Sequence, residues 1–337
     1  MSQYLLLKKV SVQNANAIAG LTYGFPAITN FLGFAHALSR KLPETLAVNL
    51  GGVAVISHKN TVHARQPKGW GDYVFALSRN PNYLKGVDVF DAKTKLLKAA
   101  STNEEGRMHM QVSLLIEVNG LIAGDTETAE QLIEHVKQKV PVLRLAGGQI
   151  THIESIELTP LNEEQKTLRK LMPGFALIDR SNYLAEHFQQ QKAIDDNTCL
   201  FDAWCDFAQL KFKAEKITSE DEQEIEAIES ANQKANWRYV KKPQSGYLVP
   251  INTGYCAISP IYEAGEVNNV RDSTVPTVFA ESAYSVGEWK SVHNIKHIEN
   301  TFWRYEHQYP WYVAKTTPFE DEVIEPDNFD HDEAMNF

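Results

Sequence analysis

A chain of 337 residues with 43% hydrophobic content is long and apolar enough for a large core and more than one domain, which excludes global disorder. The net charge of −10 argues against a uniformly basic nucleic-acid binder, but residues 320–333 hold eight acids and no Lys or Arg, 212–233 hold seven acids against two lysines, and the remainder carries a net +3. No run approaches the roughly 18 apolar residues of a membrane span, and residues 5–7 are too short for a signal-peptide core, so a soluble, cytoplasmic protein without a membrane partner is expected.

Residues 5–12 form an apolar run expected to be a buried strand. A loop, Gln13 to Pro26, follows with Asn14, Asn16 and a Gly24-Phe25-Pro26 turn. It leads into a helix whose core stripe is Ile28, Phe31, Leu32, Ala35 and Leu38. Thr29, Gly33, His36 and Arg40 gather on its other face, and Pro26 suits its first turn. Residues 53–58 are a second strand, entered through Gly51 and Gly52. The stretch 61–105 reads as an elaborated hairpin or arm. From Lys59 to Arg107 nine basic residues stand against five acidic ones.

Residues 107–117 are the clearest strand, because Met108, Met110, Val112, Leu114 and Ile116 alternate with Arg107, His109, Gln111 and Ser113. Asp125 caps a helix bearing Ala129, Leu132, Ile133, Val136 and Val140 on one face, ended by Pro141. RLAGGQITHI then opens a fourth strand. This order fits an α+β chain with a ferredoxin-like or RRM-like βαββαβ core over 1–160, its second and third strands joined through a thumb-like arm. Helices are expected at 163–171, 182–193, 198–212 and 219–235, giving a helical insertion over 161–240. Residues 241–318 read as an irregular β-rich C-terminal part packing on the core, and 319–337 as a mobile acidic tail.

The candidate chemistry is recognition. Asn14 and Asn16 offer amide donors and acceptors that suit a base edge, or stabilise the turn they sit in. Gly147 and Gly148, with Arg144 upstream, combine bare backbone with a guanidinium, a phosphate cradle or equally a helix C-cap and turn. Arg79 and Arg271 are phosphate forks or structural ion pairs. Trp70, Tyr73 and Tyr83 in the basic arm could stack on bases or pack on the body. Glu104 and Glu105 beside Arg107 and His109 read as a solvated charged turn. His36, with His58 and His63, allows a histidine-dependent ribonuclease to be imagined. Eleven scattered histidines without HxH or HExxH, and three cysteines (Cys199, Cys205, Cys256) without CxxC spacing, give no metal centre or disulfide frame. No cofactor is expected.

QNANAIAG, YGFPAITNFLGFAHAL, LSRNP, EEGRMHMQVSLL, RLAGG, LMPGFAL, GYLVP, AISPIY, GEVNNVRD and VGEW, in this order over 5–289, resemble the second Csy subunit of type I-F CRISPR surveillance complexes. That family is Cas-five-type and belongs to the RAMP superfamily. The resemblance implies a non-catalytic subunit that holds the 5′ handle of the CRISPR RNA, pairs with the large subunit and abuts the first backbone subunit through a thumb. Target DNA would be met indirectly or through the arm. On this footing Gln13, Asn14, Asn16, Gly24, Phe25, Arg144, Gly147 and Gly148 form the handle cradle. His36, Arg79, Arg107, His109 and Arg271 are the further RNA-contact candidates. Asn268 stands where the family's GEV run is expected to carry a basic residue, and the tail after Phe319 has no recognised counterpart. Two other readings stay open: a RAMP-type endoribonuclease cutting repeat RNA, and a protein-only adaptor for the large subunit.

Overall fold

The computed structural model describes residues 3–81, 93, 102–122, 124–216 and 235–317. The expected helix at 219–235 lies outside these residues except for Ala235, as do Tyr83 and the acidic tail, and most of the arm beyond Pro81.

The chain is mixed α+β around one large antiparallel sheet. Its first half gives β1 (Gln3–Asn16), α1 (Ile28–Ser39), β2 (Asn49–Val62), β3 (Arg107–Asn119) and α2 (Thr126–Lys139). A short hairpin of β4 (Arg144–Leu145) and β5 (Gly148–His152) follows, then β6 (Ser155–Pro160). β5 and β6 pair successively with the outer edge of β1, whose inner neighbour is β3, and β3 pairs with β2. The spatial order of the four units is therefore fourth, first, third, second.

β1 alternates only in pieces. Leu5 and Leu7, then Val10 and Val12, then Ala15 face the same core, and the two skipped steps are bulges. Each bulge carries a residue with positive φ, Lys9 at 46° and Asn14 at 53°. A bulge inserts one residue without losing the pairing, so the apolar positions return to the helix side each time. α1 buries Ile28, Phe31, Phe34 and Leu38 there, and α2 buries Leu132 and Val136. Each such side chain contributes about 1.5–3 kcal/mol on leaving water. Asp125 caps α2 as its sequence suggests, accepting from the Thr128 N–H at 3.0 Å. Pro26 lies one residue before the N-cap of α1, Ala27, and so outside its first turn.

The opposite face is covered over only part of its area. Tyr4, Leu6, Ala54, Ile56 and Leu115 are sealed there by Leu168 and Leu171 from and after α3 (Glu164–Lys170), and by Val292, Ile295 and Ile298. Towards the start of β3 the same face carries Arg107, His109 and Gln111.

Within the described part of 161–240, strand replaces expected loop and helix in two places. α4 (Ser181–Ile194) matches the expectation, but β7 (Phe175–Asp179) enters the main sheet between β2 and β9 (Ala280–Ser291). α5 (Leu200–Ala208) ends early, and Lys211–Lys216 instead pairs with Ala235–Val240. β8 (Leu248–Ala257), β10 (Phe302–Gln308) and β11 (Trp311–Lys315) complete the sheet. Because β10 returns to pair with β2 beside β7, six strands close on themselves. Trp303 fills that ring with no exposure and donates its indole N–H to the Leu177 carbonyl at 2.8 Å.

Candidate nucleic-acid interface

The second bulge of β1 ends the strand in a rim. The Asn16 N–H donates to the Ala146 carbonyl at 2.8 Å and the Ala17 N–H to Gly106 at 2.9 Å, which stitches the loop to the β4–β5 hairpin and to the start of β3. A two-residue hairpin of Ile18–Ala19 and Thr22–Tyr23 follows, closed at its base by Gly24 N–H on the Ala17 carbonyl.

Asn16, Arg107 and Gly147 meet at one cleft of about 260 Å³ with Asn30, Glu104 and Glu105. Arg144 reaches the same turn, its Nη1 donating to the Gly147 carbonyl at 3.3 Å. Four separate segments thus bring amides, guanidinium groups and open backbone together. Asn30, from the first turn of α1, was the member that sequence reasoning missed. It sits on the polar face that also carries Gly33, which would have been the signal.

Charge in the cleft is partly spent. Arg107 pairs with Glu105 at 2.7 Å, and Arg79, from the arm strand Ser78–Pro81, pairs with Glu104 at 2.9 Å. The acidic pair is solvated as expected, but it lies on the strand Thr102–Glu105 instead of a turn and serves as the arginines' partner set. Arg107 holds the Glu105 carboxyl below the usual carboxylate range. Arg144 is exposed and, among the described residues, meets no acid.

The glycine pair divides its labour. Ala146 and Gly147 both have positive φ, 49° and 74°, the signature of a type I′ hairpin turn rather than a helix C-cap. Gly147 is open to solvent, whereas Gly148 is buried, so its backbone is not available to a phosphate. A β-carbon there would lie 2.6 Å from Val12 Cγ1. Gly148 is needed for close approach to the β1 bulge.

Beside the cleft, the exposed Asn14 donates its backbone N–H to Nδ1 of His109 at 3.2 Å, and His109 Nε2 meets His63 Nε2 at 3.1 Å. The first bond makes Nδ1 an acceptor, so His109 carries its proton on Nε2 and donates to His63. Gln13 is exposed opposite Gln149. Gly24 and Phe25 face elsewhere, lining a second concavity with Trp289 and Tyr247. His36 is exposed on α1, and Arg271 lies in an exposed loop away from the cleft. His58 is held on both ring nitrogens, by the Pro173 carbonyl and by Ser113 Oγ, each at 2.7 Å. Trp70 and Tyr73 stand exposed on the arm.

Among the described residues no three His, Cys, Asp or Glu side chains are grouped to hold a metal ion, and no helix is long and apolar enough to cross a membrane. The sequence profile described as CRISPR-associated protein (Cas_Csy2) matches residues 5–313. The chain belongs to the Csy2 family of CRISPR-associated proteins. It is 34% identical over 322 residues to CRISPR-associated protein Csy2 of Pseudomonas aeruginosa (strain UCBPP-PA14), covering 91% of this chain and 92% of that relative. The match spans the rim, the β4–β5 hairpin, the described arm strands and the six closed strands, so all the elements that shape the cleft belong to the family region.

Proposed function

We propose that this Csy2-family chain is a non-catalytic subunit of a type I-F CRISPR RNA-guided complex, and that it holds the 5′ handle of the guide RNA at the cleft between Asn16, Asn30, Arg107, Arg144 and Gly147. The observation that carries the reading is the convergence of those groups from four segments, a mixture that suits phosphates and splayed base edges. The order fourth, first, third, second of its antiparallel units supports a ferredoxin-like core of the RAMP kind. The arm strands continuing from β2 and β3 would meet the first backbone subunit, and the large subunit would pack against the body. Of the three histidines considered for strand cleavage, His58 is tied up in structural hydrogen bonds, His36 is exposed on α1, and His63 meets His109 beside the cleft.

Replacing Asn14 and Asn16 together by Ala is expected to lower guide content of the purified complex without changing the fold. Normal guide content in the double mutant would sink the assignment. The pairing of Arg107 and Arg79 with acids favours a second reading, a protein-only adaptor. Footprinting of the handle in the assembled complex separates the two, since an adaptor leaves the handle unprotected. Metal-free incubation of the pure chain with repeat RNA tests the non-catalytic assignment, for which intact RNA is the expected result.

A further inference from the structure

The end of the sheet remote from the cleft is rich in exposed aromatic residues. β2 runs from Asn49, opposite the end of β3, to Val62, opposite Met108 beside the cleft. β10 leaves β2 at Phe302 and Trp303 and runs the other way, so the tips of β8, β10 and β11 lie beyond the start of β2. A lobe, residues 258–279, projects from this end and is closed by paired backbone bonds between Tyr262 and Thr277 at 2.8 and 2.9 Å.

Of the thirty large apolar or aromatic side chains that stand exposed among the described residues, ten fall within 255–279 and 305–312. They wrap one contiguous tip. Tyr255 lies directly across from Tyr312, which stacks on Tyr305 at 4.7 Å, and Trp311 lies across from Cys256. The Ile258 N–H donates to the Phe279 carbonyl at 2.9 Å, and the Tyr309 hydroxyl donates to the Ser259 carbonyl at 3.1 Å, which ties the lobe to the β10–β11 turn. Each of the ten is roughly half exposed. Together they offer on the order of 900 Å², against the roughly 800 Å² that one partner contributes to a standard interface.

Monomeric proteins seldom leave so large an apolar surface uncovered. Its chemistry selects a protein over a nucleic acid. Tyr305 and Tyr312 spend ring faces on each other, and Ile258, Ile261, Val275 and Val278 give a base nothing to stack on. Residues 255–281 carry Glu263, Glu266, Asp272 and Glu281 against Arg271 alone, a net −3 that repels phosphate and equally opposes the same lobe of a second copy. We infer that this end of the molecule docks a different protein subunit, one whose contacting face is apolar at the centre and basic at the rim. The inference rests on the reading of the chain as a subunit of a complex and adds to it the place of a protein neighbour, away from the guide-binding cleft.

The test co-expresses the tagged full-length chain with the other protein subunits of its complex and reads how much of each is retained after washing at low and at high salt. Ile258→Glu combined with Ile261→Ser is expected to lower retention of one subunit about tenfold at both salt concentrations. Glu263→Lys combined with Glu281→Lys should lower it at low salt only, because salt screens the charge clash. All four positions are exposed, so thermal melts should match the wild type, and binding of the purified variants to RNA copying the guide's 5′ end should be unchanged. Full retention of every subunit in both variants overturns the inference. Loss of RNA affinity with normal retention makes the lobe a nucleic-acid surface and also overturns it, as does a wild-type dimer that the variants convert to monomer. A chain that keeps its neighbouring subunit but holds no guide sinks the guide-binding reading and leaves the docking surface standing.

Discussion

The β-carbon that Gly148 lacks would lie 2.7 Å from the carbonyl oxygen of Gln13. The same position is 2.7 Å from the Ala15 nitrogen, so the obstacle is backbone on both sides of the bulge, and backbone does not yield cheaply. Gly148→Ala is expected to destabilise the protein by about 1–3 kcal/mol, the usual cost of overpacking. Gly147→Ala meets only Arg107 Nη1, at an ordinary 3.8 Å, and the strain of its positive φ, about 1–2 kcal/mol. Thermal melts of both variants decide the order, and a milder loss for Gly148→Ala would contradict the close-approach role.

Arg180 is 3% exposed and donates Nε to Glu288 at 2.6 Å, with its guanidinium over the Tyr183 ring at 4.7 Å. Removing one partner strands a buried charge. Arg180→Ala should therefore cost about 3–5 kcal/mol, whereas Arg180→Met combined with Glu288→Met should recover much of that loss. Urea midpoints of the single and double variants are the measurement, and equal losses in both would mean the pair is not what holds β9 against α4.

Burial pushes the His58 imidazole below its ordinary value, against the opposing pull of its hydrogen bond to the Pro173 carbonyl. Lys9 and Lys8 push it further down and Glu154 pulls it up. With Nδ1 donating to Pro173, Nε2 accepts from the Ser113 hydroxyl, which in turn accepts the Lys9 N–H. A base whose folded value is depressed contributes stability that is complete above its unfolded value of about 6.5 and is lost as pH falls towards the folded value. Stability from urea titrations should therefore decline below about pH 6.5, and His58→Gln should flatten that decline. An identical slope in the variant would place the pH dependence elsewhere.

Arg144 has no acidic partner among the described residues, whereas Arg107 already neutralises Glu105. Arg144→Ala should lower guide affinity and reduce the slope of log affinity against log salt by about one phosphate contact, roughly 0.7 for a single strand. A filter-binding series in salt checks this. A slope equal to that of the wild type means Arg144 touches no phosphate.

Much of the fold could be read from the chain. The strict alternation from Met108 to Ile116 announces β3, and the Asp125 cap with the Leu132 and Val136 stripe announces α2, because both patterns are local. Phe175 to Asp179 was hidden for the opposite reason: five residues between two helical patterns become a strand only because β2 and β9 offer edges on either side. Lys211–Lys216 and Ala235–Val240 carry too few buried residues for a periodicity to mark them. At the site, Asn16, Arg107, Arg144 and Gly147 were identifiable by residue type near turns. Their carboxylate partners were visible beside them but not the pairing, since Arg79 and Glu104 are brought together by the arm.

The two extra residues in β1 have an evolutionary corollary. Losing the codon for Asn14 would leave the ladder to β3 fully paired and regular, with Val12 and Ala15 then two residues apart and still on the helix side, opposite Met110 and Met108. Side-chain changes in this stretch alter what the rim can grip, and loss of the extra residue would remove the kink that shapes it while leaving the core-facing positions where they are.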